Sequence, residues 1–472
     1  MTPKKVLQFA LGPIGGAILS VISLPIVAWL FSSDDVGRVS LLNVVLSFGT
    51  LFFTLGLDQS YVREFHESKN KALLFKMAIL PGGILLLAIL SVILLLGPWL
   101  AEIVFGQEST IVTWLLSIAL LCSFLSRFLS LILRMNERGL AFSMSQLLPK
   151  AFVLVIILIY ILFEIEKNFE QLLLAYTLAI VLACLIFTWN TRNEWFSSFY
   201  QKISLEQILP MFKFGLPLIF GGVAFWGVTS LDKILLSKWS SYSELAVYSM
   251  SVSFASVATI FQSVFSTVWA PTVYKWASVD DGHDKVINTT RYVLIILIIL
   301  FCLFGLSSWL VAFLLPNEYS SVQWILVACL TYPLFYTLSE TTVVGVGIAR
   351  KSNYAMISCV LALIVNVVCN YFLVPLFGAA GAASSTCLTF WFFLVLRTEF
   401  SIYVWKSIPR LKMYLYTLII ISGAIFGAIF QEVGAPYIYL FWFFLLVYSL
   451  WDFRLDIVLI RKLLSKNYGL NI

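Results

Sequence analysis

Arg127, Lys150 and Glu340 lie deep inside long apolar stretches of this sequence. An ionised group there is costly and is a functional candidate by default. Arg127 is seven residues inside Arg134, about 10 Å along a helix, and shares a face with Ser123 and Ser130. Lys150 directly follows Pro149, on a stripe with Ser143 and Gln146. Arg63, beside Glu64, and Lys213 sit nearer the ends of their stretches, on the same side. Guanidinium and ammonium groups form charge-assisted bonds to phosphate or carboxylate oxygens. Arg127, Lys150, Arg63 and Lys213 therefore read as a cationic vestibule for an anionic headgroup. A plainer reading stands beside it, in which the shallower cations, Lys213 and Lys76, snorkel to the membrane surface.

Glu340 is ten residues from Arg350, about 15 Å, which puts it near the middle of a membrane. Two roles stay open for it: a coupling site for H+ or Na+, or a structural partner of Arg127. Glu340→Gln separates them, because coupling predicts lost ion dependence and pairing predicts lost protein. Asp232 and Lys233 form a local pair, a helix cap or a gate. Asn43, Ser123, Gln146, Asn366 and Asn370 are candidate polar groups lining a cavity. The stripe Ser249, Ser253, Ser256, Thr259, Ser263 and Ser266 has two readings, a cavity wall or hydroxyls bonded to their own helix.

Other chemistries lack their residues. The seven cysteines are scattered within apolar stretches with no C-x-x-C pair, and His66 and His283 have no partner at metal-ligand spacing. No G-x-S-x-G, H-E-x-x-H or Walker A pattern occurs. No catalytic residue, metal or cofactor is expected beyond the coupling ion, and the chain reads as a non-enzyme. The net charge of +6 is spread over many short loops, which suits anionic lipids and not nucleic acid.

The elements that position these groups follow from composition. The chain of 472 residues is 61% hydrophobic and 11% charged, with mean hydropathy +0.97. Apolar runs of about 20 residues recur, the length that crosses a hydrocarbon layer as a helix. Fourteen such spans are expected, near 6–30, 39–58, 73–96, 111–133, 142–163, 170–189, 208–231, 246–273, 288–314, 322–348, 354–374, 380–403, 412–431 and 436–452. Of the 30 Lys and Arg, all but Arg38, Lys167, Lys233 and Lys238 fall on alternate loops and span ends. Acidic residues show no such bias, which is the pattern of the positive-inside rule. It sets both termini in the cytoplasm; the first span, longer than a signal-peptide core and without a small-x-small cleavage pattern, is expected to be an uncleaved helix.

The chain also repeats itself. Phe9–Gly16 resembles Phe214–Gly222, Ser32–Ser40 resembles Ser240–Ser249, and the turn Arg138–Phe142 resembles Arg350–Tyr354. Two six-helix lobes in pseudo-two-fold repeat are expected, 1–205 and 206–405, with two further helices and a cytoplasmic tail in 406–472. Small residues at Gly12, Gly16, Gly221 and Gly222 allow close helix approach, and Pro25 and Pro217 bend the same two helices. The expected fold class is an all-α polytopic membrane protein of about 14 transmembrane helices.

The stretch Asn366 to Ala382, with Asn366, Asn370, Pro375, Gly378, Gly381 and Ala382 in order, resembles the span 11–12 signature of polysaccharide flippases. These belong to the multidrug/oligosaccharidyl-lipid/polysaccharide exporter superfamily. Leu231–Leu236 followed by Ala246–Tyr248 resembles the family's span 7–8 entry, with Ala246 where Gly is usual, and Leu55–Arg63 resembles its end of span 2. The resemblance implies a flippase of the bacterial inner membrane that moves an undecaprenyl-diphosphate-linked oligosaccharide outward for O-antigen or exopolysaccharide synthesis. Lipid-linked oligosaccharide and membrane lipids are the implied partners, with polysaccharide polymerase and chain-length proteins beside them. Rival readings are a lipid II flippase and a drug antiporter, which would carry more cavity acids. A membrane glycosyltransferase or polymerase would carry a large outer loop, and a purely structural membrane partner is the remaining alternative.

Overall fold

The computed structural model of the chain describes residues 3–203, 205–277 and 282–456. The expected cytoplasmic tail lies, from residue 457, outside the described residues. Apolar runs fold as helices because a helix satisfies each backbone N–H and C=O within its own segment. Helices α1 (Pro3–Leu30), α2 (Ser33–Phe53), α3 (Leu57–Glu64), α4 (Lys71–Leu96), α5 (Trp99–Phe105) and α6 (Thr110–Met135) come first. They are followed by α7 (Gly139–Leu162), α8 (Phe169–Asn190), α9 (Arg192–Ser198), α10 (Leu205–Trp239), α11 (Tyr242–Ala255) and α12 (Ala258–Ala277). The chain continues through α13 (His283–Ser307), α14 (Val322–Cys329), α15 (Thr331–Thr342), α16 (Val344–Ile348), α17 (Asn353–Val404) and α18 (Leu411–Asp452). No strand occurs among the described residues. By internal contacts the chain divides into two compact units, Met1–Ser249 and Met250–Ile472.

In the first unit α1 packs against α7 through glycines. A Cβ at Gly15 would stand 2.7 Å from Leu147 Cδ2, so a larger side chain would require Leu147 to move. The polar stripe of α7 faces this seam. Ser143 Oγ donates to the Gln8 carbonyl, Gln146 lies against Gly12, and Lys150 Nζ donates to Gly16 O at 2.8 Å and Ser20 Oγ at 2.7 Å.

The expected second span is two helices. Leu55 (φ 51°) and Gly56 (φ 68°) adopt left-handed conformations between α2 and α3. Gly56 is required twice over, for its φ and because a Cβ would run into the carbonyl of Gly215 on α10. Ser60 Oγ then donates to Met211 O at 2.8 Å, fixing α3 to α10.

In the second unit, 52-residue α17 and 42-residue α18 would each be far longer than a membrane is thick if straight, about 78 and 63 Å against ~30 Å. Both turn back on themselves, at Gly378 (φ 52°) and Gln431 (φ 44°). A Cβ at Gly381 would meet the backbone of Leu373, and the tilted rings of Tyr354 and Phe400 have centroids 5.1 Å apart. In α18 a Cβ at Gly423 would meet the Phe441 ring, and Tyr416 donates to Asp452 at 2.6 Å. Each is thus a helical hairpin holding two of the expected spans. Counted as continuous helices among the described residues, eleven are long and apolar enough to cross a membrane, or up to twelve with α11 and α12 taken as one bent span.

A repeated turn links the units by internal likeness. After α6, Glu137 (φ 55°) precedes Arg138, whose N–H reaches Leu133 O at 2.9 Å. After α16, Arg350 (φ 55°) precedes Lys351, whose N–H reaches Val346 O at 3.0 Å. This is one left-handed helix cap, and it also follows α7, where Glu164 (φ 50°) precedes Ile165, whose N–H reaches Tyr160 O at 3.0 Å. It pairs Glu137 with Arg350, one residue out of register from the sequence match of Arg138 with Arg350.

Candidate substrate cavity

A cavity of about 490 Å³ opens within the first unit, walled by α2, α3, α6, α7 and α8. The α2 stripe supplies Asn43, Ser47, Thr50 and Thr54 at helical spacing. One turn apart on α6, Ser123 and Arg127 face the same space, with Ser126 beside them. Ser145 and Pro149 come from α7, while Ile180, Ala183 and Phe187 of α8 close an apolar side.

Asp58 is the acidic member of this wall. The Leu55–Gly56 break restarts the helix, so Asp58 falls in the first turn of α3, where free N–H groups favour negative charge. Its Oδ2 accepts Arg127 Nη2 at 2.6 Å, Arg127 Nε at 3.3 Å and Gln59 Nε2 at 3.0 Å. The Asp58 side chain is 8% exposed and that of Arg127 40% exposed. The carboxylate thus holds the Nε–Nη2 edge of the guanidinium, while Arg127 itself lines the cavity. A guanidinium there can donate to a phosphate or sugar oxygen.

Of the expected cations, Arg127 lines this cavity, as do Asn43 and Ser123. Lys150, which is exposed, bonds α1 at its seam with α7, where Gln146 also lies. Arg63 is exposed and stacks over the Phe214 ring at 4.3 Å, next in sequence to exposed Lys213. Asp232 is buried and accepts a bond from Tyr248 Oη at 2.7 Å, with half-buried Lys233 following it. Asn366 and Asn370 lie fully buried in the α17 hairpin. Asn370 Nδ2 donates to Asn366 O at 2.8 Å, and Ser385 Oγ reaches the same carbonyl across the turn at 3.2 Å. In the long hydroxyl stripe Ser256, Thr259 and Ser263 donate to carbonyls of their own helical segments.

Glu340 lines a second cavity of about 490 Å³, within the second unit, together with Arg350 and Arg397. Its carbonyl accepts Trp269 Nε1 at 2.9 Å. Sequence reasoning set Asp58 on the polar stripe of the second span without pairing it with Arg127, and left Arg397 out of the site. The signal for Asp58 was present, an acid on the α2 stripe behind a Leu-Gly pair. Arg397 lies seven residues before the end of α17, the spacing that marked Arg127 against Arg134. Among the described residues no group of three or more His, Cys, Asp or Glu is placed to hold a metal ion.

The fold is shared with solved membrane proteins. The chain is similar to the lipid II flippase MurJ in an inward closed conformation, at 14% identity and TM-score 0.71, covering 97% of this chain and 100% of the other. It is also similar to an inward-facing multidrug resistance MATE family transporter of the MOP superfamily, at 14% identity and TM-score 0.58, over 88% and 95% of the two chains. A third likeness is to the Vibrio cholerae MATE transporter VcmN, at 14% identity and TM-score 0.53, over 84% and 95%. A search of curated proteins finds no match. Fold and apolar helices together define an all-α multi-pass membrane protein with the MurJ and MATE architecture. Residues 3–277, more than half the chain, match the family described as polysaccharide biosynthesis protein, and the chain belongs to that family.

Proposed function

We propose that this protein flips an undecaprenyl-diphosphate-linked oligosaccharide repeat unit from the inner to the outer leaflet of a bacterial inner membrane, by alternating access, for O-antigen or exopolysaccharide synthesis. The observation that carries the reading is the cavity around Arg127: one guanidinium set among Asn43, Ser47, Thr50, Ser123 and Ser145, inside a bundle of apolar helices. A diphosphate needs a cation, sugars need hydroxyl and amide partners, and a prenyl tail can stay in lipid. Asp58 orients Arg127 and neutralises it while the cavity is empty. Membership of a polysaccharide biosynthesis family supports the same reading.

In this proposal each arm of α17 and α18 crosses once, as does α11 with α12, which makes fourteen crossings with both ends cytoplasmic. The lobes are 1–205 and 206–405, followed by 406–472. Glu340 serves as a H+ or Na+ coupling site or in a structural pair. Polysaccharide polymerase and chain-length proteins are the working partners.

The test is a deletion strain analysed for lipid-linked repeat units. Accumulation in the inner leaflet with no surface polymer, restored by the wild-type gene and not by Arg127→Ala at equal protein level, is expected. Normal surface polymer in the deletion sinks the proposal. Rescue of a lipid II flippase depletion would assign the fold's other reported substrate instead.

A further inference from the structure

The end of α8 and the short helix α9 form an elbow, with Thr191 buried at the bend. A helix end leaves its last four carbonyls without intrahelical partners. Here side chains take them up. Thr191 Oγ1 donates to Phe187 O at 2.8 Å and Trp195 Nε1 to Thr188 O at 2.8 Å. Arg192 Nη1 donates to Trp189 O at 3.0 Å and Arg138 Nη1 to Asn190 O at 3.3 Å. From α4, Lys76 Nζ donates to Phe199 O at 3.0 Å and Gln201 O at 2.8 Å, which holds the far end of α9. The bend is therefore built by hydrogen bonds to three other helices' worth of side chains and needs no ordering when something docks there.

A cavity of about 780 Å³ runs along the elbow. Leu185, Trp189, Phe196 and Tyr200 give it exposed apolar walls, and exposed Arg192, Asn193 and Ser197 its polar lining. Its α8 wall lies on the face opposite Ala183 and Phe187, which close the Arg127 cavity, because two residues turn a helix by about 200°. Exposed Leu178 and Leu182 continue that wall along α8 at helical spacing. The guanidinium of Arg192 sits over the Trp189 ring, 4.7 Å from its centroid, and the nearby carboxylate of Glu194 is taken by Arg138 Nη2 at 2.5 Å. Helix α8 is a membrane span of 22 residues, about 33 Å, so its end falls at the interface, where Trp and Tyr concentrate. The order along the elbow is thus an apolar stripe, aromatic rings, then a cation, which is the order of a phospholipid from chain to headgroup. Phosphatidylcholine carries its own cation, so an anionic headgroup answers Arg192 better. We propose that the α8–α9 elbow docks one membrane phospholipid with an anionic headgroup, its chain against Leu185, Trp189 and Phe196 and its phosphate at Arg192. The site belongs wholly to the first unit and stands whatever is flipped.

The test places the full chain in phosphatidylcholine nanodiscs with phosphatidylglycerol as the minor lipid, and counts the lipids retained on release by native mass spectrometry. The wild type should keep one phosphatidylglycerol in preference to phosphatidylcholine. Arg192→Gln should weaken that preference about fivefold, and Arg192→Lys should restore most of it. Trp189→Ala should release the lipid whatever its headgroup, with Phe196→Ser in its place should Trp189→Ala fail to fold by thermal melting. Arg454 is another exposed arginine over a tryptophan, 5.4 Å from the centroid of Trp451, and Arg454→Gln should leave the retained lipid as it is. Equal retention of the two lipids by the wild type, or an unchanged preference in Arg192→Gln, overturns the proposal. So does an equal loss in Arg192→Gln and Arg454→Gln, which would reduce the elbow to the general attraction of basic side chains for an anionic membrane.

Discussion

Asp58 and Arg127 act as one unit, and that governs what their variants do. Removing Arg127 leaves a nearly buried carboxylate without its cation, so Arg127→Ala should cost about 2 kcal/mol as well as transport. The full cost of a broken buried pair is not expected, because the Arg127 side chain is 40% exposed. The double variant Asp58→Asn with Arg127→Gln should recover most of the melting temperature and none of the flipping, read by thermal melting and by surface polymer. Transport in the double variant would show that Arg127 serves only to satisfy Asp58. Lys150 should behave differently. Its ammonium bonds Gly16 O and Ser20 Oγ, so Lys150→Met should loosen the α1–α7 seam. Polymer output should then fall only as far as the amount of folded protein falls, measured by normalising polymer to protein in membranes. Activity per molecule lost at full stability would return Lys150 to the vestibule. Both residues were visible in the sequence as deep charges. Their separation was not, because depth is set along a helix and facing is set by which neighbour packs there.

At the scale of the element, breaks matter more than lengths. The Leu55–Gly56 pair divides α2 from α3 and sets Asp58 at a helix start, and Gly56 also meets the backbone of Gly215. Gly56→Ala adds left-handed strain and a backbone clash, about 2 kcal/mol or more. Gly221→Ala, with open space within 4 Å, should be neutral or slightly stabilising. Melting of the two purified variants gives the comparison, and equal melting would mean that the α3–α10 approach is not needed. The hydroxyl stripe from Ser249 to Ser266 teaches the same lesson from the other side. Its spacing is that of a cavity wall, yet Ser256, Thr259 and Ser263 bond the preceding turn. Sequence periodicity cannot distinguish a hydroxyl offered to a ligand from one returned to its own carbonyl.

For the whole molecule, fourteen crossings predict that reporters inserted at Gly378 and Gln431 report the outer side and those at Arg350 and Pro409 the inner side. Reporter signals on one side at Arg350 and Gly378 would make the first arm of α17 re-entrant. The helical class and the family were legible without coordinates, since apolar length dictates helices and the family resemblance rests on local stretches, of which Leu55–Arg63 and Leu231–Tyr248 fall within the matched residues 3–277 and Asn366–Ala382 falls beyond them. Gly378 was visible there too, as the glycine where α17 reverses. The sequence by itself determined which segments are helical and membrane-long, how charge alternates between loops, and which ionisable groups are too deep to be loop charges. All of these are properties of a residue and its near neighbours in the chain. Only the tertiary structure decided that Arg127 bonds Asp58 at the wall of a cavity, that Lys150 faces α1, and that Arg397 lies beside the stacked rings of Tyr336 and Phe393. Those outcomes depend on pairs far apart in sequence, 69 positions for Asp58 and Arg127. In an apolar bundle such pairs are chosen by how closely the glycine-bearing helices approach, which no spacing along one helix records.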